Sequence, residues 1–427
     1  MLKRFIQTIL EGYVKKYLAR HPDITLIIVT GSVGKTSTKV AVATVLSERF
    51  RVRLHEGNHN AELSAPLAIL GIEYPDNIRS LSAWMAVFKA ARQRIKNPTD
   101  TDVIVQEVGS DRIGQVPHFG TYARPGIAVI TAVSPEHMEY FGTIEEVAKE
   151  ELAAANFSEK AIINRDDISG QYASILSNPN VTTYGTSASA EYYFTSQDFD
   201  IERGHRGQLV GPRWDEPIAA TIKVLGEHNL RPAVAAAAVA DSLGMTPTEI
   251  RSGLEKVQPV SGRMNMLRGM NDTLLIDDTY NSSPLAASSA LQALYQLTVP
   301  QRIAVLGSMN ELGSSSVAEH QAIGKMCDPN QLAWVITVGK EAREHLAPAA
   351  KANGCQVASF DSAIEAGGFV HQHLEKGAAV LFKGSQGGVY LEEAVKVLLH
   401  STDDEAKLVR QSPQWLKDKK AFFESLA

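Results

Sequence analysis

The sequence predicts an α/β protein of two domains. A phosphate-loop domain built on a mostly parallel sheet, with a small antiparallel β addition, precedes a Rossmann-like α/β domain. Three observations carry this. The β-rich run Thr25-Leu26-Ile27-Ile28-Val29 leads directly into the glycine loop Thr30-Gly31-Ser32-Val33-Gly34-Lys35-Thr36-Ser37. Short apolar runs then alternate with helical stretches, the pattern of a parallel sheet covered on both faces. Near 258–263 the chain reads Gln-Pro-Val-Ser-Gly-Arg, where Pro259 and Gly262 mark a break before the alternation restarts. With 427 residues, two or three domains of about 100–200 residues are expected. The expected divisions are an N-terminal helix over 1–22, a central domain that carries the glycine loop over 23–258 and a C-terminal α/β domain over 259–427.

In the first twenty residues Leu2, Phe5, Ile6, Ile9, Leu10, Tyr13, Val14, Tyr17 and Leu18 recur at helical spacing, opposite Lys3, Arg4, Lys15, Lys16 and Arg20. Such a helix either packs on the domain that follows or rests on an anionic membrane surface. A second helix is expected from about Lys35, turning Val40, Val42 and Val45 inward. Val103–Val105 and Ile127–Ile130 read as buried strands, with helical segments around 64–71 and 81–95. Residues 181–225 alternate in the β manner, with Tyr192-Tyr193-Phe194 and Ile218 to Val224, and predict the antiparallel addition. An alanine-rich helix spans about 229–243. Beyond the break, Leu274–Ile276, Ile303–Leu306, Trp334–Val338 and Ala379–Phe382 read as strands. From Ser412 a terminal helix is expected, with Trp415, Leu416, Phe422 and Phe423 on its apolar side.

The formal charge of −6 is small for this length and gives no sign of a nucleic-acid binder. The two cysteines, Cys327 and Cys355, lack metal-ligand spacing and read as inert thiols of a reducing compartment. No run is long and apolar enough to span a bilayer, and Gln7, Glu11, Lys15 and Lys16 interrupt any signal-peptide core. A cytoplasmic enzyme is the expectation.

The loop Gly31-Ser32-Val33-Gly34-Lys35-Thr36 carries the clearest chemistry. Its glycines let backbone N–H groups close around phosphate oxygens, and the helix behind it adds partial positive charge. Lys35 would reach the β- and γ-phosphates of ATP, and the Thr36 hydroxyl would ligate magnesium. The general pattern has a glycine where this chain has Val29. Two further elements sit at strand ends of the same sheet, Gln106-Glu107-Val108-Gly109 and Ser134-Pro135-Glu136-His137. Ligands of open α/β sheets bind at the carboxyl ends of the strands. Glu107 and His137 are therefore either magnesium ligands facing the loop or surface residues.

At this point the chain resembles the Mur ligase family, and most of all its D-alanyl-D-alanine-adding branch. The strings are TGSVGKTSTK at 30–39, EVGSDRIG at 107–114, SPEHMEYFGTIEEVAKEE at 134–151, LGEHN at 225–229, SGRMN at 261–265, LLIDDTYNSSP at 274–284, VLGSMNELG at 305–313 and LFKGSQG at 381–387. The resemblance implies a ligase that uses ATP and magnesium. Such a ligase phosphorylates a substrate carboxylate, and the amine of an amino acid or dipeptide attacks the acyl phosphate to give an amide, in assembling the peptide of the bacterial wall. It further implies that Gly31 through Ser37 hold phosphates, that Thr36 and Glu107 ligate one magnesium and that His137 ligates a second. Asn229 would lie near the nucleotide, Arg263 would reach the phosphates, Asp278 would hold the ribose and Lys383 would contact the carboxylate or intermediate. His320 and Asn281 fall on the amine side. Site parts on two domains imply closure before chemistry, which keeps water from a hydrolysable acyl phosphate.

The chain departs from the family pattern at several points. Where the family carries a carbamylated lysine that ligates the second magnesium, this chain has Glu151, and a glutamate brings the same negative charge directly. Lys149, two residues earlier, lies about 200° around the helix and cannot share that direction. Pro232 replaces an asparagine on the adenine side and Gln386 an arginine on the substrate side. Asn60 and Glu62 match a substrate-side loop only in part. Only about 25 residues precede the first strand, less than the roughly 50 of a stable domain, so no separate UDP-binding front domain is expected. Two cysteines exclude the four-cysteine zinc insert of one related group. Other readings are a poly-amino-acid or polyglutamylating ligase on a non-UDP acceptor, and an ATP-binding regulatory protein without activity.

Overall fold

The computed structural model of the chain describes residues 2–55, 63–75 and 77–426. They form two units. The first comprises residues 1–134, 140–223 and 229–258, and the second residues 135–139, 224–228 and 259–427.

The first unit is built on one nine-stranded sheet. In chain order its strands are β1 (Thr25–Thr30), β2 (Val52–Leu54), β3 (Val103–Glu107), β4 (Ile127–Ile130), β5 (Lys160–Asn164), β6 (Val181–Gly185), β7 (Tyr192–Asp200), β8 (Gly204–Val210) and β9 (Ile218–Ile222), and they lie in the order β2-β3-β1-β4-β5-β6-β7-β8-β9. All pairings from β2 to β7 are parallel, and β7–β8 and β8–β9 are antiparallel. Strands β1, β3 and β4 are buried along almost their whole length, as expected of parallel strands covered on both faces. The expected antiparallel addition is therefore not a separate sheet. β6 pairs with β5 in parallel, and the meander continues the same sheet outward. The sequence showed the alternation of this region but not its partner.

The helices of this part of the chain are α1 (Leu2–Arg20), α2 (Lys35–Leu46), α3 (Ser64–Leu70), α4 (Leu81–Lys96), α5 (Gln115–Gly120), α6 (Met138–Phe141), α7 (Ile144–Phe157), α8 (Leu230–Ser242) and α9 (Pro247–Leu254). α1 packs on α3 and α4 through Ile6, Leu10, Val14 and Tyr17, so the expected packing is present. α2 buries Val42 and Val45 and packs on α8 and α9, with Val45 set against Gly253 of α9; Val40 is only half-buried.

The second unit has a six-stranded sheet. Its strands are β10 (Asn265–Arg268), β11 (Leu274–Asp278), β12 (Arg302–Gly307), β13 (Trp334–Val338), β14 (Val357–Phe360) and β15 (Ala379–Lys383), ordered β10-β11-β15-β12-β13-β14. Only β10, at one edge, runs antiparallel. α10 (Pro284–Tyr295), α11 (Ser316–Met326), α12 (Ala347–Ala352), α13 (Ala363–His373), α14 (Glu392–Leu398) and α15 (Pro413–Glu424) complete it. Its core joins Ile303, Val305, Ile336, Val380 and Phe382 to Val370, Val395 and Leu398. Cys327 and Cys355 are free and buried, and burial pushes the Cys327 thiol up to about 12, which keeps it protonated and unreactive.

The terminal helix begins as expected, with the Ser412 hydroxyl accepting from Trp415 N–H. Its inner face differs from the expectation. Leu416 is exposed, Trp415, Phe422 and Phe423 are half-buried, and the fully buried residue is Lys419. Its ammonium lies against Glu393 and 3.4 Å from Glu392, which supplies the countercharge a buried cation needs.

Candidate functional site

In the first unit, β1 delivers the chain into the glycine loop and α2 begins at Lys35. Gly34 occupies the N-cap position with φ 86° and offers no side-chain cap, which leaves the first-turn amides directed at whatever anion the loop holds. Gly31 has φ 126°, and a Cβ there would come 2.3 Å from Thr131 Oγ1 and 2.7 Å from the Ala132 nitrogen. The loop is stitched to the end of β4. Thr131 donates its hydroxyl to Thr30 O at 3.0 Å, Ser32 N–H donates to Ala132 O at 2.9 Å, and Ser134 N–H donates to Ser32 Oγ at 3.0 Å.

The Thr36 hydroxyl donates to Glu107 Oε2 at 3.0 Å. The expected partners thus meet at the mouth of the loop, where a hydroxyl and a carboxylate supply the hard oxygen donors that magnesium takes. The same carboxylate oxygen lies 3.6 Å from Lys39 Nζ, and both side chains are buried. Lys39 was not singled out from the sequence, although it closes the 30–39 string and lies one turn after Lys35 on the same helix face. Lys35 itself folds back, donating to Gly31 O at 2.5 Å and Ser32 O at 3.2 Å. These residues fit a magnesium–nucleotide: a glycine cradle, a helix N-terminus, a lysine and a hydroxyl–carboxylate pair.

Glu151 is buried beneath the loop. Its Oε2 accepts Gly31 N–H at 2.7 Å and lies 2.5 Å from Thr30 Oγ1, which is also within donor distance of Val108 O at 2.9 Å. Glu150, which sequence reasoning passed over, is equally buried and turned to the loop after β3. It accepts from Ser110 Oγ at 2.9 Å and from the Gly114 and Val116 N–H groups at 2.7 Å. Its only signal was its place beside Glu151, just ahead of the apolar run 152–155. Lys149 is exposed and paired with Glu146. Pro232 lies buried in the first turn of α8, which follows directly on Asn229. Asn60 and Glu62 lie outside the described residues.

Residues 135–139 cluster with the second unit. There His137 adopts φ 50°, with Nδ1 2.6 Å from Glu311 Oε2 and Nε2 3.8 Å from Glu136 Oε1. At the carboxyl ends of β11 and β15, Lys383 Nζ pairs with Asp278 Oδ2 at 2.8 Å and donates to Asn281 O at 2.7 Å. Asp278 Oδ1 also accepts Met264 N–H at 3.2 Å. The guanidinium of Arg263 stacks 4.4 Å from the Tyr280 ring centroid. Asp278, Asn281, Lys383 and Arg263 thus share one neighbourhood. Beside them Asp277 accepts from Gly262 N–H and from the Thr279 hydroxyl, and burial lifts its carboxyl to about 6.

His320 lies elsewhere. It is fully buried, with Nδ1 donating to Ser316 O at 2.8 Å and Nε2 accepting Met309 N–H at 2.9 Å. Both ring nitrogens are engaged with backbone, so it shapes the loop after β12 and offers no ring nitrogen to an amine substrate. Burial depresses its basicity, consistent with the neutral form. Gln386 is exposed. Sequence reasoning missed Arg410. It binds Glu392 through both carboxylate oxygens, at 2.8 and 2.7 Å, and donates to Thr279 O at 2.6 Å and Tyr280 O at 3.1 Å. No string in the sequence marks it, because its partner residues are 18 to 131 positions away.

The Mur ligase middle domain matches residues 29–240, and the Mur ligase glutamate ligase domain matches residues 262–386. The chain is 27% identical over 401 residues to the UDP-N-acetylmuramoyl-tripeptide–D-alanyl-D-alanine ligase of Bacillus subtilis, covering 92% of this chain and 80% of that protein. Its counterpart in Escherichia coli is 26% identical, over 77% of this chain and 68% of that protein. Among solved structures, MurF from Acinetobacter baumannii superposes with a TM-score of 0.76 at 23% identity, covering 91% of this chain and 79% of the other. Folylpolyglutamate synthase from Thermotoga maritima gives 0.61 at 16% identity, over 95% of this chain and 98% of the other. With two consecutive family domains matched across most of its length, the chain belongs to the Mur ligase family.

Proposed function

We propose that the protein is an ATP-dependent, ADP-forming ligase that joins an amino acid or dipeptide to a peptide carboxylate of a peptidoglycan precursor by way of an acyl phosphate. D-alanyl-D-alanine is the first amine to test, since the B. subtilis and E. coli relatives are named for it. The observation that carries the reading is the Thr36–Glu107 pair at an uncapped helix N-terminus.

The residues divide the work by charge. The amides of Gly31 through Ser37, with Lys35, hold the triphosphate, and Thr36 and Glu107 hold magnesium. Bound magnesium supplies charge neutralisation on the phosphate oxygens. Glu151, fixed by Gly31 N–H, either holds the loop in register or adds a carboxylate to a metal, and His137 is a further candidate metal ligand. In the second unit, Asp278 takes the ribose, Lys383 the carboxylate undergoing phosphorylation and Arg263 the phosphates. Asn229 lies toward the nucleotide, and Asn281, Asn60 and Glu62 toward the amine substrate. No substitution at these positions is needed to test the central reading. Purified protein is assayed for ADP release with Mg-ATP, nucleotide-linked and lipid-linked muramoyl tripeptides, and a panel including D-alanyl-D-alanine and L-glutamate. ADP release that needs both a muramoyl acceptor and an amine supports it. ATP binding without amine-dependent ADP release, or turnover only with glutamate on a folate acceptor, overturns it.

A further inference from the structure

Helices α1 and α4 run side by side. The Tyr13 and Phe88 ring centroids are 6.1 Å apart, and Tyr17 Oη lies 3.4 Å from Thr99 Oγ1 just beyond α4. Each buries one stripe, Ile6, Leu10, Val14 and Tyr17 on α1 and Trp84, Val87, Phe88 and Ala91 on α4. What they leave outside is distinctive in charge. The two helices carry nine lysines and arginines against a single acid, in a chain whose overall charge is −6. That acid, Glu11, is held 2.7 Å from His118 Nε2.

The outer side is distinctive in polarity as well. Phe5 is 64% exposed, Leu81 69% and Met85 53%, and Ile78, just ahead of α4, 53%. Scattered single hydrophobics on a surface need no explanation, but large exposed ones on two adjoining helices that also carry the cations do. Leu81, Met85, Lys89, Arg92 and Lys96 recur every three or four residues, so they form one outward stripe along α4. On α1, Phe5, Lys15 and Lys16 point away from the buried stripe.

The geometry points to a docking surface for an anionic lipid bilayer. The two helices lie in the headgroup plane, Phe5, Leu81 and Met85 enter the acyl boundary, and Lys15, Lys16, Lys89, Arg92 and Lys96 lie over lipid phosphates. Charge and shape select this occupant. Cations spread along two parallel helices, each about 24–28 Å long, match a planar array of anions. Large apolar side chains that project from the same two helices as the cations suit insertion between headgroups. Among the described residues no helix is long and apolar enough to cross a membrane, so the contact is peripheral. Packing of α1 on the domain and contact with a bilayer use opposite faces of the same helix.

The test is flotation of the full chain with phosphatidylglycerol-containing vesicles and with phosphatidylcholine vesicles. The expected result is co-flotation with the anionic vesicles alone, lost at about 0.5 M salt, where the Debye length shrinks to a few ångströms. The triple change Lys16→Gln, Lys89→Gln, Arg92→Gln weakens partitioning by about a hundredfold. The pair Leu81→Ser, Met85→Ser weakens it as well, and both variants keep the wild-type melting temperature and ATP affinity. A protein that stays soluble with anionic vesicles overturns the proposal. So does equal flotation by the triple variant, an apolar pair without effect, or binding of soluble poly-glutamate that competes fully with vesicles, which would mark an acidic polypeptide partner instead.

Discussion

Glu151→Gln isolates what the buried carboxylate does for the phosphate loop. The amide keeps the size of the side chain and its oxygen can still accept, but it removes the charge. In the native protein one oxygen, Oε2, receives Gly31 N–H at 2.7 Å and faces the Thr30 hydroxyl at 2.5 Å. Hydrogen bonds to an ionised acceptor exceed neutral ones by about 1 kcal/mol each, so the substitution removes about 2 kcal/mol of restraint on the loop. If all of it is felt in the transition state, kcat/KM for ATP falls about thirtyfold. The assay is ADP release at varied ATP under saturating magnesium, repeated at varied magnesium under saturating ATP. A rise in KM for ATP with an unchanged magnesium requirement assigns Glu151 to loop positioning. A raised magnesium requirement assigns it to the metal. Full Mg-ATP-dependent activity in Glu151→Gln would refute both roles.

Gly31→Ala should abolish ATP binding by calorimetry while the second unit stays folded, because the added Cβ would overlap Thr131 Oγ1 and φ 126° is closed to alanine. Arg410→Ala strips the fork from fully buried Glu392, which keeps only Lys419 at 3.4 Å as countercharge, and should cost about 2–3 kcal/mol of stability, whereas Arg410→Lys keeps the charge and should raise KM for a substrate held by the 279–281 loop more than it lowers the melting temperature. A uniform fall in kcat with KM untouched would show that Arg410 does not position that loop. His205, buried on β8, is held down to about 4 by loss of solvation. A base depressed in the folded state gives stability that is whole above the unfolded value of about 6.5 and drains as pH falls toward 4; from pH 6.5 to 5 the loss is about 2 kcal/mol. Thermal melts should show this in the wild type and not in His205→Phe.

Much of the nucleotide half was legible because its signals are local. The strand, the glycines, Lys35 and Thr36 are consecutive, and Glu107 ends a strand whose apolar run is plain. The residues that sequence reasoning passed over act through long-range pairing. Lys39 gains meaning only when Glu107 is brought opposite, and Glu150 only when the 110–116 loop folds onto it. Apolar periodicity also misjudged the last helix. A lysine among phenylalanines reads as solvent-facing until Glu392 and Glu393 are known to be within reach. His320 shows the converse case: the family resemblance put it on the amine side, while in the structure both its ring nitrogens are taken up by backbone partners.

The pairing of β6 with β5 has a consequence for how the first unit tolerates change. The meander is woven into the same hydrogen-bonded fabric as the strand that carries the phosphate loop, so it is not a detachable module. A domain grafted into the hairpin between β7 and β8, at Asp200–Gly204, would hang from the outer margin and leave the fabric whole. Any change that displaced β6 itself would instead part the meander from β5, inside the sheet and two strands from the one that carries the loop.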